Sequence, residues 1–80
     1  MRIPRDLSGA DLVKRLGRLG YSVSRQSGSH IRLTSHGQGE HHITIPNHDP
    51  LRIGTLARIL DSVAAHHGMT REELLKLLLG

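Results

Sequence analysis

One short segment of the sequence carries residues suited to proton transfer at a phosphate. Gly28, Ser29 and His30 stand together, and Arg32 follows two positions later. Histidine can exchange a proton near neutral pH because its unperturbed pKa is about 6.5. An arginine guanidinium can bind a phosphate through two parallel hydrogen bonds, and the Ser29 hydroxyl and the Gly28 amide could orient the backbone of a substrate. The segment could therefore support acid–base chemistry beside a phosphate, but by itself it fits an ordinary exposed strand histidine and a solvated strand arginine equally well.

Alternating polar and apolar residues predict three strands around this segment. Their connections are too short for crossovers, so the strands are expected to form an antiparallel meander. Because side chains alternate along a strand, His30 and Arg32 point away from the core if Ile31 points into it. The expected strands cover residues 21–26, 30–34 and 41–45. The side chains expected on the outward face are those of His30, Arg32, Thr34, His42 and Thr44.

Capping signals and apolar spacing predict helices on both sides of these strands. Ser8, followed three residues later by an acid, opens the first helix, and Gly20 is placed to end it. A second helix is expected from near Gly54 to Gly68, and a short leucine-rich helix over residues 70–79. The order α-β-β-β-α with an extra C-terminal helix predicts an α+β fold, with the helices on one face of the sheet.

Length and composition narrow the class of protein. The chain has 80 residues, so residues 1–80 are expected to form a single domain. Eleven Lys and Arg against seven Asp and Glu give a net charge of +4, which favours binding of polyanions. The absence of Cys excludes disulfides and thiolate metal sites. No apolar stretch resembles a signal peptide or a membrane span, so a cytoplasmic protein with no membrane association is expected.

Seven histidines suggest a metal site, but their spacing does not favour one. Adjacent pairs occur at His41 and His42 and again at His66 and His67. Neighbouring residues of a strand point to opposite faces, so His41 and His42 cannot easily share an ion. No metal and no other cofactor is therefore expected. His42 could act as a second acid on the face that carries His30, although nothing in the sequence singles it out.

Three motifs in a fixed order resemble the HicA toxins, the RNase halves of HicA/HicB toxin–antitoxin pairs. Gly-Ser-His at residues 28–30 opens the second strand, and Ile-Pro-Asn-His at 45–48 ends the third. Gly-Thr-Leu-Ala-Arg-Ile-Leu follows at 54–60. The resemblance extends over residues 8–68, which is most of the chain.

This resemblance implies a fold similar to the double-stranded-RNA-binding domain and cleavage of mRNA. By motif position, the catalytic histidine of the family falls on His30. RNA supplies its own nucleophile, the 2′-hydroxyl, so cleavage needs a base, charge stabilisation at the phosphate and a proton for the leaving oxygen, without a metal. The resemblance also implies a partner, a HicB-type antitoxin that covers the active face.

Two functional classes remain open. The first is an mRNA-cleaving toxin, and the alternative is a non-catalytic RNA-binding module of the double-stranded-RNA-binding type. Such modules usually contact duplex RNA through lysine-rich helix starts and loops. This chain has only Lys14 and Lys76, both within expected helices, and Arg52 alone at the start of the second helix. The Gly-Ser-His motif and the scarcity of lysine favour the enzyme.

Overall fold

The computed structural model describes residues 3–79 as one helix, three antiparallel strands and two further helices. The predicted α+β order, α-β-β-β-α with an extra C-terminal helix, is confirmed. The elements are α1 (Gly9–Leu16, continued by the 3₁₀ turn Gly17–Leu19), β1 (Ser22–Ser27), β2 (His30–Ser35), β3 (His41–Pro46), α2 (Ile53–His66) and α3 (Arg71–Leu79). Within the described chain, no helix combines the length and the apolar character that crossing a membrane requires.

The sheet is a meander in the order β1-β2-β3, so β2 lies in its centre. His30, the first residue of β2, pairs with Ser27 of β1 and Pro46 of β3. The pairing of β1 with β2 shifts by one residue between Val23 and Arg25, which is a β-bulge. A bulge changes the face to which the following side chains point. Strict alternation along β1 therefore ends at this position.

Helices α1 and α2 pack on one face of the sheet, α3 packs against both of them, and together these elements enclose an aliphatic core. Ile31 and Leu33 of β2 face the helices and are buried, as their alternation with polar residues predicts. Burying such a side chain stabilises the fold by roughly 1.5–3 kcal/mol. The side chains excluded most completely from solvent are those of Leu12, Leu16, Leu33, Ile45, Leu56, Leu60, Leu74, Leu75, Leu78 and Val63.

The C-terminal helix α3 is part of this core. Leu74, Leu75 and Leu78 are buried, while Leu77 is 45% exposed. The carbonyl oxygen of Leu78 accepts hydrogen bonds from Nη1 of Arg15 at 2.9 Å and from Nη1 of Arg18 at 3.1 Å. Positive charge at a helix C-terminus is favourable because the last carbonyls carry partial negative charge. Two cations of α1 and its 3₁₀ turn thus fix the end of α3.

The predicted starts of α1 and α3 are confirmed by their caps. Asp11 N donates to Ser8 Oγ at 3.0 Å, and Glu73 N donates to Thr70 Oγ1 at 3.1 Å. The carboxylate of each acid in turn accepts a hydrogen bond from the backbone N of its capping residue, which completes two capping boxes. Gly20 has a φ of +87°, the left-handed conformation expected where the first helix ends.

Candidate active site

His30 lies at the start of the central strand, on the face of the sheet that the helices leave uncovered. Its side chain is exposed, and within residues 3–79 its imidazole has no hydrogen bond or ion pair. Ile31 beside it is only 6% exposed, so the predicted alternation of faces is confirmed. We call the uncovered side the open face. Its exposed side chains are those of Arg25, Ser27, His30, Arg32, His42 and Thr44.

Gly28 and Ser29 form the two-residue loop that precedes His30. Gly28 has a φ of +57°, and glycine adopts such a conformation without a steric penalty. The carbonyl oxygen of Ser29 accepts a hydrogen bond from Asn47 N at 2.6 Å. This bond ties the start of β2 to the segment that follows β3. The two residues thus fix where the backbone of His30 lies.

A second set of backbone contacts holds the segment after Pro46. Gly9 N donates to the carbonyl oxygen of His48 at 2.8 Å, and Leu51 N donates to Leu7 O at 2.8 Å. Gly9 packs so closely that a Cβ added there would lie 2.2 Å from Pro46 O. Because Pro46 pairs with His30, the start of α1 fixes the strand end beside the candidate catalytic residue.

Two arginines lie next to each other on the open face, one step along β2 from His30. Arg32 is exposed there, as predicted, and its partner across the β1–β2 pair is Arg25. Sequence reasoning missed Arg25, since simple alternation groups it with Tyr21 and Val23. The bulge at Ser24 brings it to the open face instead. The sequence signals the bulge only by the lack of an apolar residue in β1 after Val23.

His42 lies on the open face but at the far end from His30. Its partner across the sheet is Thr34, four residues beyond His30 on β2, which is about 13 Å along the strand. Nδ1 of His42 is 2.8 Å from Thr34 Oγ1, and Nε2 is 3.2 Å from a carboxylate oxygen of Glu40. These contacts leave Thr34 only 6% exposed. The structure does not bring His42 and His30 to one phosphate.

The other histidines of the sheet and of α2 form a covered cluster with Tyr21. The Tyr21 hydroxyl is hydrogen-bonded to Nδ1 of His41 and, at 3.2 Å, to Nε2 of His67. His66 stacks on His41 with ring centroids 4.3 Å apart. Burial, reinforced by repulsion from neighbouring imidazoles, lowers the pKa of His41 and of His67. Burial raises the pKa of Tyr21 to about 12.

This covered cluster is not arranged as a metal centre. Across residues 3–79, no group of three or more His, Cys, Asp or Glu side chains has an arrangement that could hold a metal ion. His41 points toward α2, where its Nε2 lies 3.3 Å from Ser62 Oγ, while the adjacent His42 points to the open face. Alternation along β3 thus separates the two, as the sequence predicts.

The candidate site is a surface rather than an enclosed cavity. A shallow groove of about 350 Å³ runs between the edge of β3 and α2, and His30 does not line it. Small-molecule sites are usually concave and bury most of their ligand. The open face is suited instead to an extended polymer whose backbone lies across several exposed polar side chains.

Comparison with known families identifies the family to which the chain belongs. A family model described as "HicA toxin of bacterial toxin-antitoxin" matches residues 9–64. Comparisons with curated proteins and with solved structures give no match. The matched segment is well over half of the chain and includes the whole sheet with its open face, while α3 lies beyond it. The chain therefore belongs to the HicA family of toxins from bacterial toxin–antitoxin systems.

Proposed function

We propose that this toxin is a metal-independent endoribonuclease that cleaves mRNA, with His30 as its general acid and base. The observation that carries the proposal is the position of the His30 imidazole, which is exposed, has no hydrogen-bond or ion-pair partner in the described part of the chain, and is followed on the same face by Arg32. A side chain that exchanges protons with a substrate needs this accessibility. Because the proposed substrate is mRNA, the proposed site of action is the cytoplasm.

The proposed reaction uses the 2′-hydroxyl of RNA as the nucleophile. His30 removes the proton of that hydroxyl, and the oxygen attacks the adjacent phosphorus while the bond to the 5′-oxygen breaks. Protonated His30 then acts as the acid and returns its proton, through solvent that reaches the open face, to the leaving 5′-oxygen. The guanidinium of Arg32, on the same face as His30, binds the phosphate backbone of the RNA and so holds the strand across the site. The products are a 2′,3′-cyclic phosphate and a 5′-hydroxyl.

Gly28 and Ser29 are proposed to contact the RNA backbone beside His30. Both residues are exposed in the loop that enters β2. The Ser29 carbonyl is already engaged by Asn47, which leaves the Ser29 hydroxyl and the Gly28 amide as the available polar groups. Donors on a fixed backbone can orient a substrate without a large entropic cost.

The cognate antitoxin is proposed to be a HicB-type protein that covers the open face. An inhibitor that protects RNA should bury His30 and should present acidic groups to Arg32. Charge complementarity of this kind mainly raises the association rate, and it makes binding sensitive to salt. The antitoxin can be titrated against RNA bound to His30→Ala protein. The two ligands should displace each other, whereas simultaneous binding would contradict this placement of the antitoxin.

Controlled expression tests the catalytic proposal. The wild-type chain should arrest growth and degrade transcripts, while His30→Ala should be harmless and equally folded. His36→Ala is the matched control, because the His36 side chain is 74% exposed and lies in the turn at the other end of the sheet. Equal toxicity of His30→Ala and wild type would remove His30 from the mechanism. RNA binding without cleavage by either protein would favour the alternative, a non-catalytic RNA-binding module.

A further inference from the structure

The bulge in β1 has a specific effect on the charges of the open face. Ser24 is the extra residue, and beyond it the pairing shifts so that Arg25 stands directly opposite Arg32. Bulges of this kind re-aim side chains and are common beside active sites. Without the bulge, Arg25 would point to the face that the helices cover. The distortion therefore creates a pair of guanidinium groups one step along β2 from His30.

This arginine pair is electrostatically unfavourable in the protein by itself. Residues directly opposite on neighbouring strands have Cβ atoms about 4.5–5.5 Å apart, and like charges placed there are destabilising. In the described chain neither Arg25 nor Arg32 has an ion-pair partner. Glu40, at the far end of the open face, is 3.2 Å from His42.

Other arginine side chains of the described chain, unlike those of Arg25 and Arg32, are hydrogen-bonded to acceptor groups of the protein. Arg71 forms a two-point contact with Asp61 at 2.7 and 2.6 Å. Arg15 and Arg18 donate to carbonyl oxygens at the end of α3. The pair on the open face has no such neutralising group. Two unneutralised cations held side by side form a site for an anion.

The spacing relates this anion site to the candidate catalytic residue. Arg32 follows His30 by two residues, which is about 7 Å along the strand. That distance is similar to one nucleotide step along an extended RNA strand. A strand with one phosphate at His30 therefore presents its next phosphate to the arginine pair.

We propose that Arg25 and Arg32 together bind a single phosphate of single-stranded RNA, the one adjacent to the phosphate at His30. The proposal rests on RNA being the substrate, as proposed above. A single strand is favoured over a duplex because the paired cations lie on a flat sheet face. The start of α2 offers only Arg52 beside the exposed Ile53. Guanidinium and imidazole planes are also surfaces on which unpaired bases stack.

Binding to the full chain carrying His30→Ala tests this proposal without cleavage of the probe. The probes are a short fluorescently labelled oligouridylate and a labelled RNA duplex of equal length. Arg25→Ala should weaken binding of the single strand about tenfold. Lys14→Ala removes the same charge from an exposed position on α1 and should change binding less than about twofold. The duplex should bind more weakly than the single strand, and Arg25→Ala should affect it little.

A double-variant cycle tests whether the two arginines share one phosphate. Arg25→Ala and Arg32→Ala should each weaken binding, and the double variant should lose clearly less than the product of the two losses. The slope of log affinity against log salt should fall by about 0.7 in the double variant, as expected when one phosphate contact of a single strand is lost. The melting temperature of Arg25→Ala should equal or exceed that of its parent, because a repulsive pair is removed.

Several results would overturn the proposal. The first is that Arg25→Ala and Lys14→Ala weaken RNA binding equally, and the second is that the affinity losses of the two single variants multiply in the double variant. The third is that the duplex binds as tightly as the single strand or more tightly, and the fourth is that the single strand does not bind. The binding result does not depend on whether His30 is catalytic. If Arg25→Ala shows its predicted effect but wild-type protein cleaves no RNA, only the endoribonuclease proposal fails.

Discussion

Two groups of histidines occupy opposite faces of the same small sheet, and they are held in different ways. His41 faces α2 and His67 directly follows the end of α2; both are half-buried and hydrogen-bonded to Tyr21, and His41 also stacks on His66. His30 lies on the open face, and none of residues 3–79 forms a hydrogen bond or ion pair with its ring. Side-chain contacts position the first group, whereas backbone contacts alone position His30.

Histidines in this protein differ in role: those of the covered cluster are structural, whereas the proposed role of His30 is chemical. Burial lowers the pKa of His41 and His67, which favours the uncharged form of these hydrogen-bonded imidazoles. An imidazole that exchanges protons with RNA instead needs free nitrogens and access to solvent. Its orientation must then come from the strand that carries it. The hairpin at Gly28 and the bond from Asn47 N to Ser29 O fix that strand.

The largest effect is expected for replacement of His30, measured as the rate of RNA cleavage by the purified protein. His30→Ala should lower the cleavage rate by about 10²–10⁴-fold, the usual contribution of general acid–base catalysis. Its free energy of unfolding should change by no more than about 0.5 kcal/mol, because the side chain is exposed and unpartnered. Rates on a defined RNA and urea unfolding curves measure the two quantities. If His30→Ala were destabilised so strongly that the smaller folded fraction accounts for the lower cleavage rate, His30 would support the fold rather than the chemistry.

Gly9→Ala tests whether backbone contacts position the open-face site. The added Cβ would meet Pro46 O at 2.2 Å, so α1 and the end of β3 must separate. Strain of this kind costs about 1–3 kcal/mol, and it should reduce cleavage by displacing the strand paired with His30. Gly17→Ala is the control, since nothing lies within 4 Å of its Cβ and its φ of −55° suits any residue. Equal stability and activity of the two variants would contradict this account.

Tyr21→Phe tests the covered cluster. The change removes the hydroxyl that joins His41 and His67, and it leaves two imidazole nitrogens with one partner fewer. We expect a loss of about 1–2 kcal/mol in unfolding free energy. Cleavage per folded molecule should be unchanged, because the cluster lies on the other face of the sheet. A fall in cleavage without a fall in stability would link the cluster to catalysis.

The covered cluster should also make stability depend on pH. The pKa of His41 and of His67 is lower in the folded protein than the ordinary value of about 6.5, so the unfolded chain binds protons more readily. Stability should therefore be greatest above about pH 6.5 and should fall as the pH drops below that value. The double variant His41→Asn, His67→Asn should show a flatter profile between about pH 7.5 and 5.5. If the dependence of unfolding free energy on pH were the same in the double variant as in wild type, groups other than His41 and His67 would be responsible for it.

Local sequence signals were sufficient for the elements and for most of the open face. Alternation along β2 correctly separated His30 and Arg32 from Ile31, because one face of that strand is buried and the other is not. The capping sequences at Ser8 and Thr70 also predicted helix starts, since a cap is formed within four residues.

Features that depend on the packing of distant segments could not be predicted in this way. The bulge at Ser24 arises from how β1 pairs with β2, so the local sequence does not reveal the face of Arg25. The bond between Tyr21 and His67 joins residues 46 positions apart. Arg15, which donates to the carbonyl oxygen of Leu78 at the end of α3, is 63 positions away from it in sequence.

The chemistry of the cleavage products tests the central claim most directly. Purified wild-type protein is incubated with a defined RNA oligonucleotide in EDTA, and the fragments are analysed by mass spectrometry. We predict that fragments with 2′,3′-cyclic phosphate ends form at the same rate with and without EDTA. The His30→Ala protein should form no products, and an RNA whose scissile nucleotide lacks its 2′-hydroxyl should not be cleaved. Activity lost in EDTA and restored by added metal, or cleavage of the 2′-deoxy substrate, would contradict the role of His30 as the base that activates the RNA's own nucleophile.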